Sequence, residues 1–260
     1  VITKYRDYDY TNFLKEYRIN LTMWSKAKWP KVPDIQYKPF SKIFRLISRL
    51  LALLFEYPSI EEMFKVKNKL HFETGYDLMI SFAVPYTVHW GVSMALNRKK
   101  LIAAKWIADC GDPYMGDRLD TFRKPFYFSY LEKSFCRKAD VISIPIESAK
   151  EGYYEEFHNK IKIIPQGFSF DLNRKRTDAQ INSIPTFAYA GTFIPGVRDP
   201  KELLHYLSNL DIKFRFYIFT NRLDVVRELK SIMGDRLILS EYIPRNELIT
   251  ILSEMDFLIN

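Results

Sequence analysis

The chain alternates between short apolar runs and segments whose apolar residues recur with helical spacing. Apolar runs of a few residues are typical of buried strands, whereas spacings of three and four indicate helices. In the first 170 residues this pattern predicts strands at 77–82, 101–108, 140–144 and 162–164, and helices at 40–55, 87–97, 124–138 and 148–157. Ser148 is predicted to cap the last of these helices. Strands that alternate with helices predict a parallel sheet covered by helices.

The same alternation restarts after a polar connector, residues 168–183, which contains the charged run Asn173-Arg174-Lys175-Arg176. Beyond it the pattern predicts strands at 186–190, 214–219, 237–239 and 256–259, and helices at 199–207, 223–233 and 246–253. The predicted fold class is therefore α/β, with two parallel-sheet domains at residues 1–170 and 184–260. The last strand reaches the end of the sequence, so we expect the second domain to be incomplete.

Composition limits the class of protein. The chain has 260 residues, 47% of them hydrophobic, which excludes collagen, coiled coil and a disordered tail. Its two cysteines, Cys110 and Cys136, are typical of a reducing compartment and not of a disulfide framework. The longest uninterrupted apolar run, residues 50–55, is far shorter than the roughly 20 residues that span a bilayer. The sequence therefore predicts a cytoplasmic protein, with the inner face of the membrane as a further expectation.

The positive charge is concentrated in the first half. The net charge is +8, but residues 1–140 alone hold 24 basic and 15 acidic side chains. Such an excess favours an anionic partner, with a merely solubilising surface as the alternative. In the helix at 40–55, the residues Lys42, Arg45 and Arg49 lie opposite an apolar stripe, so the helix either binds an anionic membrane surface or packs on a sheet. No helix-turn-helix, zinc-finger or RNA-binding spacing is present, so no specific nucleic acid is expected.

Four segments together carry a resemblance to a known family. They are SFAVPYTVH (81–89), WIADCGDPY (106–114), IPQGF (164–168) and YAGT (189–192), the last followed by RDP at 198–200. In order and spacing they resemble the family 4 glycosyltransferases over about residues 76–260. Each segment alone is a weak signal. The resemblance implies the GT-B architecture, in which two Rossmann-like domains face each other.

The resemblance also implies that both domains are incomplete. Val1-Ile2-Thr3 looks like the second N-terminal strand of the family, so a first strand and helix are expected upstream. At the other end the match stops before the segment with paired glutamates that grips the sugar and ribose. A chain without that segment could fold and still be inactive.

The implied activity is transfer of a sugar from a nucleotide-sugar to a glycan or lipid-linked acceptor, with retention, in cell-surface polysaccharide synthesis. This is a hexosyltransferase-like reaction, in which the nucleotide-sugar is the donor substrate and no cofactor or metal is implied. Two alternatives stay open. One is a non-catalytic module that binds a nucleotide or sugar, and the other is a basic peripheral-membrane protein that shares the fold.

The leaving diphosphate must be stabilised as charge develops on it, and a tight strand-to-helix turn with free backbone N–H groups does this. Gly191-Thr192 lies at such a predicted turn, and Arg198 is the cation of the loop. In the family an Arg directly follows this glycine and a Lys comes later, whereas here Thr192 follows it. The alternative is that Gly191 is a plain turn and that Arg198 pairs with Asp199.

Three residues near predicted strand ends are candidates for catalysis. His89 lies at the start of a helix, where it either hydrogen-bonds the transferred sugar or acts as a cap or core residue. Asp109 and Asp112 follow the strand at 101–108, so that one of them orients the acceptor hydroxyl or accepts its proton. Asp112 before Pro113 is equally an ordinary turn residue. The family has an aromatic residue and an Arg where Cys110 and Gly111 stand, which puts acceptor contacts there in doubt.

The nucleotide base is expected at Tyr242 and Ile243, where relatives contact it through backbone groups. Two spacings are discounted. Asp7-Tyr8-Asp9 has the spacing of a metal-binding Asp-x-Asp but lacks a flanking apolar strand. Residues 111–116 have the glycine spacing of a phosphate loop but lack its Lys and Ser/Thr. Ser143, Ser148 and Cys136 have no histidine at an activating interval, so a covalent hydrolase is not supported.

Overall fold

The protein consists of two compact units, Val1–Gln166 and Gly167–Asn260, each with its own hydrophobic core. The computed structural model describes residues 1–4, 9–24, 41–83, 85–96, 101–117, 122–167, 182–194, 196, 198–241 and 243–259. The connector at 168–183 lies almost entirely outside these residues. The predicted domain limits at residues 170 and 184 stay predictions.

The N-terminal unit has a mixed sequence of helices and strands. Its helices are α1 (Thr11–Glu16), α2 (Ser41–Phe55), α3 (Ile60–Leu70), α4 (Thr87–Ala95), α5 (Phe128–Lys138) and the 3₁₀ helices Glu147–Gly152 and Glu155–Lys160. Its strands are β1 (Ile2–Lys4), β2 (Thr22–Trp24), β3 (Tyr76–Phe82), β4 (Ala103–Asp109), β5 (Val141–Ile144) and β6 (Ile161–Ile163).

Four of these strands form one parallel sheet in the order β3-β4-β5-β6. Strand β5 is buried over most of its length, as its continuous apolar sequence predicts. Strands β1 and β2 pair with each other in a separate parallel sheet. Within the described residues no strand pairs with the outer edge of β3, and its alternate residues Leu78, Ile80 and Phe82 are exposed on one face of the strand.

The C-terminal unit repeats the alternation. Its elements are β7 (Thr186–Ala190), α6 (Lys201–Ser208), β8 (Arg215–Phe219), α7 (Leu223–Met233), the 3₁₀ turn Gly234–Arg236, β9 (Leu237–Ser240), α8 (Arg245–Ser253) and β10 (Phe257–Ile259). All strands are parallel, in the order β9-β8-β7-β10. From β7 the chain therefore runs outward on one side to β8 and β9, and then returns to the other side of β7 as β10. The predicted α/β class, with a parallel sheet in each half, is confirmed.

Two predictions about the N-terminal unit are wrong. The helix predicted at 148–157 is two short 3₁₀ helices, and Ser148 does not cap either of them because the first one begins at Glu147. Helix α3 was not predicted because its lysines mask the apolar positions Met63, Val66 and Leu70, which are buried in the structure. At 147–160 contacts elsewhere in the fold override the local pattern, whereas α3 follows an apolar spacing that was overlooked.

Asp256 joins the first and last strands of the C-terminal unit, β7 and β10, which are neighbours in the sheet. Its Oδ2 accepts hydrogen bonds from the backbone N–H of Thr186 at 2.9 Å, from the hydroxyl of Thr186 at 2.9 Å and from Asn182 Nδ2 at 3.1 Å. These donors, above all the Thr186 N–H, lower the pKa of the Asp256 carboxyl to about 2. The ionised carboxylate therefore fastens the start of β10 to the start of β7.

We expect Asp256→Asn to lower the urea midpoint of the C-terminal unit at neutral pH. Because the folded-state pKa lies below the unfolded-state value, the stabilisation is complete above about pH 4 and is lost as the pH falls through about 2. The difference in urea midpoint between wild type and variant should therefore decrease from pH 5 towards pH 2. Circular dichroism at a series of pH values measures it, with the exposed loop variant Asp211→Asn as control. A gap independent of pH would contradict a role for the ionised carboxylate.

Candidate functional site

Two loop regions follow the carboxyl ends of parallel strands, one in each unit. In the N-terminal sheet the strands β3, β4 and β5 end at a common edge, where the segments at 83–89 and 110–117 begin. In the C-terminal sheet the loop at 191–199 follows β7. Open parallel sheets bind ligands at this edge.

His89 lies in the first turn of α4, and its side chain is fully buried. Its Nδ1 lies 2.8 Å from Ser81 Oγ, and its Nε2 lies 3.2 Å from the carbonyl oxygen of Asp109. Trp106 Nε1 donates to the same Ser81 Oγ at 2.8 Å. Side chains from β3, β4 and α4 therefore meet at one imidazole ring.

The protonation state of His89 follows from these partners. A carbonyl oxygen can only accept, so Nε2 carries the hydrogen and donates it to Asp109. Burial lowers the pKa of His89 to about 4, so the ring is neutral at pH 7. Nδ1 consequently accepts from the Ser81 hydroxyl. Of the two alternatives for His89, this geometry favours the core residue, and contact with a sugar stays a prediction.

The Asp109 carboxylate is half-buried at the end of β4. The hydroxyl of Ser143, on the neighbouring strand β5, donates to Asp109 Oδ1 at 2.5 Å. The backbone carbonyl of Asp109 accepts from His89 and from the backbone N–H of Ala83. The residue is thus fixed at both its main chain and its side chain.

Asp112 has an exposed side chain on a fixed backbone. The hydroxyl of Tyr86 donates to the Asp112 carbonyl, and it lies 3.1 Å from the hydroxyl of Tyr153. Burial raises the pKa of Tyr86 well above its ordinary value, so this phenol remains a hydrogen-bond donor. The carboxylate of Asp112 is therefore open to solvent while its main chain is held in place.

The rest of the 110–117 loop is anchored by two acids, the half-buried Glu56 and the buried Glu132. Tyr114 donates its hydroxyl to Glu56 Oε1 at 2.6 Å, and the backbone N–H of Met115 donates to Glu132 Oε1 at 3.4 Å. Glu132 also accepts from the hydroxyl of Tyr154 at 2.8 Å. Desolvation is the main cause that raises the pKa of Glu132. The loop thus packs against α5 and against the residue that follows α2.

The cysteines take no part in a nucleophilic site. Burial raises the pKa of Cys110 to about 12 and also raises that of Cys136, so both are protonated thiols at neutral pH. Cys110 Sγ lies 3.5 Å from His89 Nε2, but this nitrogen carries its hydrogen towards Asp109. The pair therefore lacks the thiolate that a covalent mechanism requires.

In the C-terminal unit, Gly191 and Thr192 are exposed directly after β7. The backbone N–H of Gly191 donates to the carbonyl of Phe219 at 3.0 Å, so it continues the sheet and is not free for a ligand. Within the described residues no acceptor lies at the backbone N–H of Thr192. A Cβ atom added to Gly191 would meet only ordinary contacts, the nearest being the hydroxyl oxygen of Tyr189 at 3.5 Å. The fold itself therefore does not require glycine here.

Arg198 closes a small hairpin that begins at Ile194. The two residues exchange backbone hydrogen bonds of 2.8 and 3.0 Å, while the side chain of Arg198 is exposed. Among the described residues no ion pair joins Arg198 to Asp199. The Asp199 carboxylate instead accepts from the backbone N–H groups of Gly196 at 3.3 Å and Lys201 at 3.0 Å. One of the free N–H groups at the start of α6 is therefore already occupied by a carboxylate.

The remaining predicted site residues are only partly described. Ile243 is half-buried after β9, at the same edge of the sheet as Gly191, whereas Tyr242 lies outside the described residues. Asp7 and Tyr8, and the side chains of Lys42 and Arg45, also lie outside them. In the described part of the chain no three His, Cys, Asp or Glu side chains are grouped as ligands of a metal ion. That no metal takes part stays a prediction.

The fold matches solved structures of glycosyltransferases. Anabaena HepE in complex with UDP has a TM-score of 0.61 at 11% identity, over 99% of this chain and 65% of that one. A glycosyltransferase from Rickettsia africae has a TM-score of 0.57 at 13% identity, over 96% of this chain and 61% of that one. The lipopolysaccharide outer core galactosyltransferase WaaB, in its apo form, has a TM-score of 0.54 at 12% identity, over 98% of this chain and 61% of that one. This chain thus spans less than two thirds of the length of each.

No protein-family model matches the chain, and no curated protein matches it significantly. At identities of 11 to 13% the likeness shows the fold alone. The predicted fold class, parallel α/β units like those of GT-B glycosyltransferases, is confirmed. The assignment to family 4 and the incompleteness of both domains stay predictions.

Sequence reasoning missed the residues that fix the candidate acids. Ser143 is a polar residue within the buried apolar strand β5, and this contrast could have marked it as a partner. Ser81 is likewise a polar residue in β3, where it is buried between exposed neighbours. No sequence signal pointed to Tyr86, Tyr153 or Glu132, because their partners come from segments that are distant in the chain.

Proposed function

We propose that the protein is a glycosyltransferase that moves a sugar from a nucleotide-sugar to a glycan or lipid-linked acceptor, with retention, in cell-surface polysaccharide synthesis. The observation that carries the proposal is the strand order of the C-terminal sheet. The chain reverses direction at β7, between β8 and β10, and the Gly191 loop follows β7. Ligands of open α/β sheets bind at such a switch point. The neighbouring Anabaena structures contain UDP or UDP-glucose, which supports a UDP-sugar as the donor.

In this proposal the 191–199 loop binds the donor diphosphate. The backbone N–H of Thr192 donates to a phosphate oxygen, and the exposed guanidinium of Arg198 balances the charge that grows as the sugar leaves. A cation that meets this growing charge stabilises the transition state more than the bound substrate. Ile243, with Tyr242 before it, contacts the nucleotide base.

The acceptor hydroxyl is assigned to the N-terminal loop. The Asp112 carboxylate is exposed on an anchored backbone, so it can accept the proton of the hydroxyl without a large rearrangement. Asp109 is half-buried and engaged by Ser143, which suits it to orient rather than to deprotonate. His89 supports this edge from within the core by holding the Asp109 carbonyl.

A second candidate is a module that binds a nucleotide or sugar without turnover. Two observations favour it. Thr192 stands where the resemblance implies an arginine, and both ring nitrogens of His89 are engaged inside the protein. This candidate shares the donor site of the first and differs from it only in turnover.

Binding and turnover measured on one preparation decide between the two. Calorimetric titration with UDP and UDP-glucose, with CMP as a mismatched nucleotide, tests the donor site. Release of UDP from UDP-hexoses tests turnover. Binding with turnover supports the transferase, and binding without turnover supports the module. Absence of binding to UDP and to every UDP-hexose would contradict both.

Arg198→Ala is expected to weaken UDP binding by roughly 1–3 kcal/mol, or about 5- to 150-fold in Kd, because a charge-assisted hydrogen bond to phosphate is lost. Calorimetry measures the change. The matched control is Arg215→Ala, an exposed arginine at the opposite end of the same sheet, which should leave Kd unchanged. Equal Kd values for wild type and Arg198→Ala would remove this residue from the site.

A further inference from the structure

Helix α2 exposes an unusual number of large apolar side chains. They are Ile43, Phe44, Leu46, Ile47, Leu50, Leu54 and Phe55, each between 39% and 59% exposed. No residue of Ser41–Phe55 is acidic. A continuous exposed apolar surface of this kind marks a site of interaction.

The distribution of residue types around α2 is that of an interfacial helix. Successive helical positions are about 100° apart, so Lys42, Arg45 and Arg49 fall within an arc of about 60°. The large apolar residues occupy roughly 200° on the other side. Basic residues beside a broad apolar face are typical of helices that lie in the plane of a membrane interface.

A second exposed apolar group adjoins the end of α2. Phe122, Phe126 and Tyr130 are 63%, 75% and 66% exposed. This segment is fastened to α2 because the hydroxyl of Tyr127 donates to the carbonyl of Leu54. Lys124 Nζ also lies 3.0 Å from Glu56 Oε1, directly after the helix. The ring and hydroxyl of Tyr130 are suited to the headgroup region of a bilayer, and the apolar rings of Phe122 and Phe126 to the acyl boundary below it.

We propose that α2, together with Phe122, Phe126 and Tyr130, is a docking surface for an anionic lipid bilayer. The surface is called the α2 patch below. Its charge is complementary to anionic headgroups, since α2 carries only basic charged residues and residues 1–140 hold nine more basic than acidic side chains. The same charge disfavours a second copy as the occupant, because two patches would bring like charges together.

The length of α2 sets the mode of binding. Fifteen residues span about 22 Å, which is shorter than the ~30 Å hydrocarbon layer. None of the described helices is long and apolar enough to cross a membrane. The α2 patch therefore binds in the interface plane, with its apolar face in the acyl region and its cations at the headgroups. This inference does not depend on the proposed donor site.

Vesicle co-sedimentation tests the α2 patch. The wild type should bind vesicles of phosphatidylcholine with about 30% phosphatidylglycerol at least tenfold more tightly than phosphatidylcholine alone, and salt should weaken the binding. Leu46→Glu with Leu50→Glu should reduce the partition coefficient at least tenfold, because two apolar anchors are lost and two like charges are added. Arg49→Ala alone should reduce it about fivefold.

The matched control is Tyr206→Glu with Ile212→Glu. It replaces two exposed apolar side chains of the C-terminal unit and changes the net charge equally. Circular dichroism confirms that both double variants are folded. Equal partitioning of wild type and the Leu46/Leu50 variant, or no binding of wild type to anionic vesicles, would overturn the proposal. A third outcome would also overturn it: the wild type sediments as a dimer, the Leu46/Leu50 variant sediments as a monomer, and neither binds vesicles. The patch would then be a self-association surface.

Discussion

Gly116→Ala is expected to destabilise the N-terminal unit by about 3 kcal/mol, near the upper end of typical overpacking penalties. A Cβ atom at residue 116 would lie 2.1 Å from the carbonyl oxygen of Gly152 and 2.6 Å from its Cα. Both contacts are with backbone atoms, so no side chain can rotate away to relieve them. The loop and the 3₁₀ helix Glu147–Gly152 would have to separate.

The same loop supplies a matched control. Gly111 has no atom within 4 Å of an added Cβ and no positive φ, so Gly111→Ala should be neutral or stabilise by at most about 1 kcal/mol. All four tryptophans precede residue 110, so fluorescence during urea unfolding reports on the N-terminal unit alone. Equal midpoints for the two alanine variants would show that residues 116 and 152 are not in close contact.

This close contact connects the fold to the candidate site. Gly152 itself has no room for a Cβ, which would lie 2.3 Å from Pro113 Cγ. Asp112 immediately precedes that proline. The 3₁₀ helix therefore contacts the segment that presents the Asp112 carboxylate. We expect a substitution at residue 116 or 152 that pushes these two segments apart to displace this carboxylate as well.

Helices and strands with strong local patterns could be predicted from the sequence. The strand at 186–190 and the helix at 223–233 have the predicted limits, because Thr-Phe-Ala-Tyr-Ala is a short apolar run and the helix repeats Val226, Leu229 and Met233 at helical spacing. The apolar side chains of this strand and this helix are buried within the core of the C-terminal unit alone. Local pattern and tertiary packing therefore select the same structure.

The segment at 147–160 shows where local pattern is insufficient. Its composition permits an α-helix, but Gly152 must meet both Pro113 and Gly116 closely. Tyr153 and Tyr154 must also point to Tyr86 and to Glu132. A continuous helix would not satisfy these contacts, and the chain forms two 3₁₀ helices instead. Such contacts, made across more than 20 residues of sequence, are invisible to a periodicity argument.

The sequence predicted where the candidate site residues lie in the fold, but not which side chains they contact. Sequence order located Asp109, Asp112 and His89 at strand ends, and the parallel sheet places all three at one edge. The state of His89 could not be predicted, because it depends on Ser81 and Trp106 from neighbouring strands. The strand order at β7 was equally hidden, since the sequence of elements does not say on which side β10 returns.

Asp112→Asn is expected to lower kcat for the hydrolysis of UDP-glucose, with water as the acceptor, about 100-fold, which is the lower limit for loss of a general base. The carboxylate is exposed and its backbone is held by Tyr86, so the amide should leave the loop in place. Asp109→Asn should lower kcat less, about tenfold, because Asp109 Oδ1 already accepts from Ser143 and acts on orientation. Neither change should alter the Kd for UDP.

The control for both variants is Asp77→Asn, at the opposite edge of the same sheet, where the side chain is exposed at the start of β3. UDP release under single-turnover conditions separates the chemical step from product release, and calorimetry gives the Kd for UDP. If Asp112→Asn keeps the wild-type kcat, Asp112 is an ordinary turn residue before Pro113. If Asp109→Asn alone abolishes turnover, Asp109 is the base and Asp112 the orienting residue. The half-buried Asp109 carboxylate must then break its hydrogen bond with the Ser143 hydroxyl to reach the acceptor.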